Sequence, residues 1–344
     1  MASEEPPFWW KEAEWRAWSL WPFSAVYGRV ARARMARGRR EKVAPAVLCV
    51  GNLTIGGEGK TPVAIALARE ALRGKIKAGF LSRGYGGSLS APHLVDPEND
   101  AARLVGDEPL LLARHAPTVV AADRIAGVAR LVSEGCELII MDDGFQSARV
   151  HMDYALIVID ARRGVGNGHV IPGGPLRAPL IDQMRYADAV VRMGEGEAAD
   201  IVVRQAARAG RPVFTARVAP CSPQEFQGAR VLAFAGIGNP EKFYATLRET
   251  GAEIAATRSF PDHHPFSAED IADLNAEAKA GDLQLVTTEK DQGRLCHGDA
   301  AMAAFARSVR ALPIRTLFEN EDTPGIILRD TLGRWRERVL ARPD

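Results

Sequence analysis

The stretch VLCVGNLTIGGEGKTP, residues 47–62, restricts what this chain can fold into more than any other. Its opening apolar run, residues 47–50, suits a strand buried on both faces. A glycine-bearing turn follows, and then Lys60 and Thr61 lead into the helix-like run VAIALARE. Strand, glycine loop, Lys-Thr and helix in this order predict a phosphate-binding loop. Glycines let consecutive backbone N–H groups turn inward on a polyphosphate, and the helix N-terminus adds its positive end. The loop Thr54, Ile55, Gly56, Gly57, Glu58 and Gly59 would then cradle the phosphates. Lys60 would reach the β- and γ-phosphates, and the Thr61 hydroxyl would ligate Mg2+. The usual pattern begins with glycine, where this chain has Thr54. A glycine-rich turn that binds nothing is the competing reading; the intact Gly-Lys-Thr between strand and helix favours nucleotide.

The rest of the chain extends that unit. Residues 78–82 read as a second buried strand ending at Arg83, and residues 117–122 as a strand that delivers Asp123 and Arg124. Residues 138–141 and 154–160 are further apolar strands, with helical patterns at 100–115 and 125–134. This alternation predicts a mainly parallel sheet with helices on both faces, whose ligands gather at the carboxyl ends of the strands. A boundary is expected near Pro220-Cys-Ser-Pro223, after which residues 230–235 and 241–250 begin a smaller α/β lobe. The expected division is 1–40, 41–225 and 226–344. With 344 residues there is room for two lobes.

Composition closes off some classes. A net charge of +1 argues against a general nucleic-acid binder, so no nucleic-acid partner is expected. The four cysteines are scattered, with no CxxC pair, which suits a reducing compartment and excludes a thiolate zinc site.

The N-terminus is the anomaly. Of the six tryptophans, all but Trp335 lie between Trp9 and Trp21, and Arg29, Arg32, Arg34, Arg37, Arg39, Arg40 and Lys42 follow. The uncharged run 17–28 is too short to span a bilayer, which needs about 20 apolar residues. Interfacial aromatics followed by arginines predict a helix and basic linker lying on an anionic leaflet, as a peripheral anchor. The alternative is an aromatic helix packed on the protein's own core.

Three further constellations can carry chemistry. Asp142 and Asp143 end an apolar strand in the manner of a Walker B element, which holds Mg2+ opposite the phosphate loop. Asp107 and Glu108 stand at a helix start, where N-capping is the simplest role. Asp262, His263 and His264 lie in a loop between Pro261 and Pro265, and a held histidine beside an acid is a general-base candidate.

Nine segments, in order GNLTIGGEGKTP, SRGYGG, GDEPLLLA, ADR, MDDGFQ, IDARRGVGNGHVIPGGPLR, FAGIGNPEKFY, FPDHHPFS and VTTEKD, resemble the tetraacyldisaccharide 4'-kinase family, the lipid A kinases of Gram-negative bacteria. The resemblance covers nearly the whole chain, and threonine at the head of the loop is normal in that family. Glu58 stands where a small residue is more usual and implies an altered loop surface. The family implies ATP-dependent phosphorylation of the 4'-hydroxyl of an acylated glucosamine disaccharide 1-phosphate, with ATP and Mg2+ as cofactors. It places the enzyme peripherally at the cytosolic face of the inner membrane, touching anionic lipids through its N-terminal segment. It also implies a cleft between two lobes. Carried over by position, Lys60 and Thr61 act on phosphates and metal, Asp142 and Asp143 are the Walker B acids, and Asp107 with His263 resembles a base dyad. Lys290 and Asp291 resemble a nucleotide contact. Arg83, Arg124 and Arg177 are candidates for substrate or transferring phosphate, against the alternative of surface ion pairs. A nucleotide switch remains the rival class: it shares the loop and Walker acids but needs no base aimed at a sugar hydroxyl.

Overall fold

The computed structural model describes residues 5–341 apart from 58, 90 and 148. The expectation for Glu58 therefore lies outside the described residues. In chain order the strands are β1 (Ala46–Asn52), β2 (Ala78–Ser82), β3 (His93–Leu94), β4 (Thr118–Val120), β5 (Leu138–Asp142), β6 (Tyr154–Asp160), β7 (Ala189–Met193), β8 (Val213–Pro220), β9 (Arg230–Ala235), β10 (Glu253–Ser259), β11 (Gln284–Thr288), β12 (Arg310–Leu312) and β13 (Ile314–Phe318). They form a nine-stranded sheet, order β13-β8-β7-β6-β1-β5-β2-β4-β3, and a four-stranded sheet, order β10-β9-β11-β12. The large sheet is parallel except where β13 meets β8 and β3 meets β4; the small one is parallel throughout.

The apolar runs explain the large sheet. Every residue of β1, β5 and β6 is buried, because alternate side chains enter different cores. Val47 and Cys49 pack with Met35, Val128, Leu131 and Met184. Ala46, Leu48 and Val50 pack on the opposite face with Leu67, Leu112 and Ile327. Each such fully buried aliphatic side chain contributes about 1.5–3 kcal/mol relative to exposure. β1 sits at the centre, paired with β5 in the register Val50↔Asp142 and with β6. The phosphate-loop strand and the Walker-type strand are therefore direct neighbours.

The chain does not end in the small lobe, as the expected 226–344 segment did. β13 returns to the edge of the large sheet, and the helix Thr323–Leu340 packs on the helix Lys60–Arg73. A buried ion pair secures that return. Arg338 donates from Nε to Asp153 Oδ1 (2.6 Å) and from Nη2 to Asp153 Oδ2 (3.1 Å), and also to the carbonyls of Val43 and Pro45.

The N-terminal region is two helices, Trp15–Ser19 and Trp21–Arg37. Arg29, Arg32, Arg34 and Arg37 belong to the second helix, and only Arg39, Arg40 and Lys42 are linker. Ser24 and Gly28 face the protein, while Trp15, Trp18, Trp21, Phe23, Val26 and Val30 are exposed. No helix among the described residues is long and apolar enough to cross a membrane.

Candidate active site

The carboxyl ends of the parallel strands open into a cleft of about 2510 Å3 between the lobes. On the large-lobe side, Gly59 takes φ +90°, a left-handed conformation suited to glycine, and starts the helix Lys60–Arg73. Lys60 and Thr61 are thereby placed, buried, in its first turn. Ile55 gives its N–H to the Pro175 carbonyl (2.9 Å) rather than leaving it for a phosphate, a correction to the expected cradle. Thr54 is buried and its carbonyl accepts from Arg177 Nε (2.9 Å), so it anchors the loop's base. Gly56, Gly57 and Gly59 line the cleft.

The two strand-end acids differ. Asp142 Oδ2 accepts from the Thr61 hydroxyl (3.5 Å), while its Oδ1 is buried with no hydrogen-bond partner. Burial, reinforced by the Glu108 charge, pushes the Asp142 carboxyl up to about 7. Beside Thr61, that orphaned oxygen is an open ligand position suited to a hard cation. Asp143 turns away in a left-handed conformation, φ +56°, and pairs with Arg177 Nη1 (2.6 Å) and Lys60 (3.9 Å). Burial raises its pKa, but Lys60 and Arg177 outweigh burial and hold it at about 2. Arg124 is buried, not a surface residue; it donates to the Leu81 carbonyl (3.3 Å) and the Asp143 carbonyl (3.5 Å). Arg83 is exposed and lines the cleft.

The small lobe reaches across. His263, itself left-handed at φ +57°, lies with Nδ1 3.1 Å from Asp107 Oδ2. The other carboxylate oxygen, Oδ1, accepts the Glu108 N–H (3.0 Å). Arg294 Nε stands 3.5 Å from Asp107, and Lys290 Nζ donates to Glu108 Oε1 (2.6 Å). Burial pushes the Asp107 carboxyl up; the His263 hydrogen bond and the Lys290, His263 and Arg294 charges overcome it, leaving a pKa below the usual carboxylate range. The same hydrogen bond raises the His263 pKa above its ordinary value against the effect of burial. His264 is separate: it stacks on Phe260 and pairs with Asp270 (3.0 Å).

Asp291 does not reach the cleft as expected of a nucleotide contact. It is fully buried in the small lobe, accepting from Gly236 N, Thr288 Oγ1 and Arg294 Nη2. Three groups at or beside the cleft, Arg294, Glu5 and Arg163, were not singled out in the sequence, and Glu108 was read there only as an N-capping acid. Glu108 joins Lys290, and Arg294 follows Asp291 by one helical turn; that spacing was the available signal. Arg163 lies in the segment 159–177 that carries the family resemblance, whereas Glu5 had no such signal. Glu5 Oε2 accepts from Trp10 Nε1 (2.9 Å) and Arg163 Nη1 (3.1 Å), and Arg163 also donates to the Gly238 carbonyl (3.4 Å) of the small lobe.

Residues 16–331 match the family model described as Tetraacyldisaccharide-1-P 4'-kinase. The chain is 62% identical to the Tetraacyldisaccharide 4'-kinase of Chelativorans sp. (strain BNC1) over 99% of each chain. It is 56% identical to that of Mesorhizobium japonicum, again over 99% of each. The crystal structure of the "apo" form of LpxK from Aquifex aeolicus in complex with ATP superimposes with a TM-score of 0.69 at 25% identity, covering 92% of this chain and 99% of that one.

Proposed function

The chain belongs to the tetraacyldisaccharide-1-P 4'-kinase family, and from that premise we propose how its cleft moves a phosphoryl group from ATP to the 4'-hydroxyl of a tetraacyldisaccharide 1-phosphate, a step of lipid A biosynthesis. The polyphosphate lies on the loop 56–61 at the start of the helix Lys60–Arg73, where N–H groups and the helix dipole meet negative charge. Lys60 follows the γ-phosphoryl group as charge spreads over its oxygens. Thr61 and Asp142 would hold Mg2+, with Asp143 behind them, and the ion would supply positive charge against the polyphosphate. Arg177 and Lys60 keep Asp143 ionised and in place.

The acceptor hydroxyl holds its proton far above neutral pH, so a base must take that proton as the new P–O bond forms. Asp107 and His263 take it as a pair. The carboxylate orients the neutral imidazole through Nδ1, so that the pair has room for one proton, and it stabilises the imidazolium that forms when the proton arrives. Because they come from different lobes, the base is assembled only where the lobes meet, which ties proton transfer to a closed cleft. Arg83, Arg124 and Lys290 add positive charge around the transferring group, Arg124 from a buried position that also steadies the Asp143 backbone. The exposed face of Trp15, Trp18, Trp21, Phe23, Val26 and Val30, flanked by helix arginines, docks on the anionic cytosolic leaflet of the inner membrane and brings the cleft to an acylated substrate.

The observation that carries this reading is the 3.1 Å contact between His263 and Asp107 across the cleft. Asp107→Ala and His263→Ala are each expected to lower kcat by about 10²–10⁴, with MgATP binding retained. The double variant is expected to be little worse than the poorer single, since groups acting as a unit are non-additive. Recovery of kcat at saturating substrate would mean that the pair only closes the lobes.

A further inference from the structure

A second cavity, of about 350 Å3, lies at the opposite end of the large sheet. It is lined by Arg40, His151, Arg185, Tyr186 and Arg334, with the carboxylates of Asp153 and Asp188. Both acids directly precede strands β6 and β7, so the cavity sits at the amino ends, away from the cleft.

Its charges do not balance. Asp153 is taken by Arg338 and by the Val47 N–H (2.8 Å). Asp188 is shared between Arg334 and Arg211 (3.5 Å) and also accepts the Ala155 N–H (2.8 Å). Arg185 must share Asp182 (3.4 Å) with Arg32 (2.5 Å). Among the described residues no carboxylate pairs with Arg40; its guanidinium lies 4.6 Å over the Tyr186 ring. The buried donors agree. Arg40 Nε and Nη2, Arg211 Nε and the Tyr154 hydroxyl are all buried without a hydrogen-bond partner among the described residues. Tyr154 and Arg211 belong to this corner, since the Arg334 guanidinium lies 5.0 Å over the Tyr154 ring and Arg211 meets Asp188. Buried polar atoms of native proteins are normally paired. Here two donor atoms of Arg40, which lines the surplus-positive cavity, and one each of Arg211 and Tyr154 beside it lack an acceptor, and what is missing is one carrying negative charge.

We propose that this cavity is a binding site for a terminal phosphate group, gripped by Arg40 and Arg185. Two sources share that chemistry: the headgroup of an anionic phospholipid, and free phosphate. Arg40 follows closely on the docking helix Trp21–Arg37, so the lipid form of the site rests on the membrane reading above and adds headgroup selectivity to it.

The test uses the full chain and vesicles of phosphatidylcholine containing either phosphatidic acid, a phosphate monoester, or phosphatidylglycerol, a diester, at matched surface charge. Wild type is compared with Arg40→Gln/Arg185→Gln and with a charge-matched control, Arg29→Gln/Arg37→Gln, two exposed helix arginines. For a lipid site, wild type and control prefer phosphatidic acid, and the cavity variant loses that preference by about fivefold or more, the effect of one arginine at an anionic surface. For a soluble anion there is no lipid preference. Calorimetric titration with inorganic phosphate, the nucleotide loop held saturated with Mg–ADP, then shows binding by wild type and control that the cavity variant lacks. If the cavity variant matches the control in both arms, the site does not exist. Arg185 is largely exposed, so the fold does not depend on it. Should the glutamine pair still lower the melting temperature, Arg185→Gln alone is read in the same two arms. Affinity for phosphatidylglycerol reports the docking helix, whereas the lipid preference and the phosphate titration report the cavity, so the two readings fail separately.

Discussion

In the large lobe the polar groups of the cleft stand at the ends of strands buried on both faces; in the small lobe they stand on a proline-flanked loop and the first turns of a helix. Asp142 ends β5, whose residues are all buried, and Lys60 opens a helix with eight buried positions. By contrast, edge strand β10 is largely exposed and His263 stands on a loop, although each lobe holds one cleft residue, Asp143 or His263, in a left-handed conformation. Such a conformation costs a non-glycine residue roughly 1–2 kcal/mol. The difference teaches a division of labour. The large lobe presents a rigid, preorganised charge field, which needs no movement at the moment of reaction. The small lobe supplies groups whose partners lie in the other lobe, so their effect depends on closure.

The largest effect expected from the comparison concerns rigidity. Arg338→Ala leaves the Asp153 carboxylate buried without its charge partner, and removing one member of such a pair costs about 3–5 kcal/mol. Urea unfolding is expected to show that loss; an unchanged midpoint would mean that the C-terminal helix does not anchor the large lobe. Next comes the charge field itself. Lys60→Ala is expected to lower kcat by about 10²–10³, the usual cost of one electrostatic stabiliser. Near-normal turnover by a folded Lys60→Ala protein would remove the phosphate loop from the mechanism.

A smaller effect probes the contact between lobes. Lys290 and Glu108 face each other across the cleft (2.6 Å), and each helps to hold the other charged: Lys290 lowers the Glu108 pKa, and burial, which lowers that of Lys290, is outweighed by the charges of Glu108, Asp107 and Asp142 together with the Glu108 hydrogen bond. A double-mutant cycle of Lys290→Met and Glu108→Gln, read in kcat/KM, is expected to give a coupling of about 0.5–3 kcal/mol. Additive losses would show that the pair is never joined during turnover.

The smallest effect is a titration. The His263 pKa is raised above 6.5, chiefly by its hydrogen bond to Asp107. A group raised on folding lends stability that is complete below 6.5 and is lost as pH climbs through the raised value. Asp107 is depressed, so its contribution is complete above 3.8 and fails only as pH falls toward its folded value. The clasp between lobes is therefore complete between pH 3.8 and 6.5 and weakens as pH climbs through the raised His263 value. NMR titration of the His263 ring is expected to show the raised value, and Asp107→Asn to bring it down. A value unmoved by that substitution would place the two side chains apart in solution.

Much of the molecule was legible in the chain alone. The parallel sheet followed from apolar runs at 47–50, 138–141 and 154–159, since a strand buried on both faces favours an unbroken apolar run and leaves its polar residues, such as Asn52, Asp142 and Asp160, to its end. The loop at Gly59-Lys60-Thr61 was readable because its chemistry needs consecutive residues. Asp107, Asp142, Asp143 and His263 were legible as candidates through short motifs in the family's order. What the chain could not state was which of these meet. Asp107 and His263 are separated by 156 positions, and nothing local to either dictates their contact. Asp291 had the look of a cleft residue, yet three neighbours of its own lobe consume it. Arg338, in an ordinary amphipathic helix, turned out to fasten the chain's end to its first strand. Local pattern determines burial and backbone shape, because those depend on a residue and its near neighbours. Pairing of charges over long separations depends on how the lobes pack, and only the tertiary structure decided it.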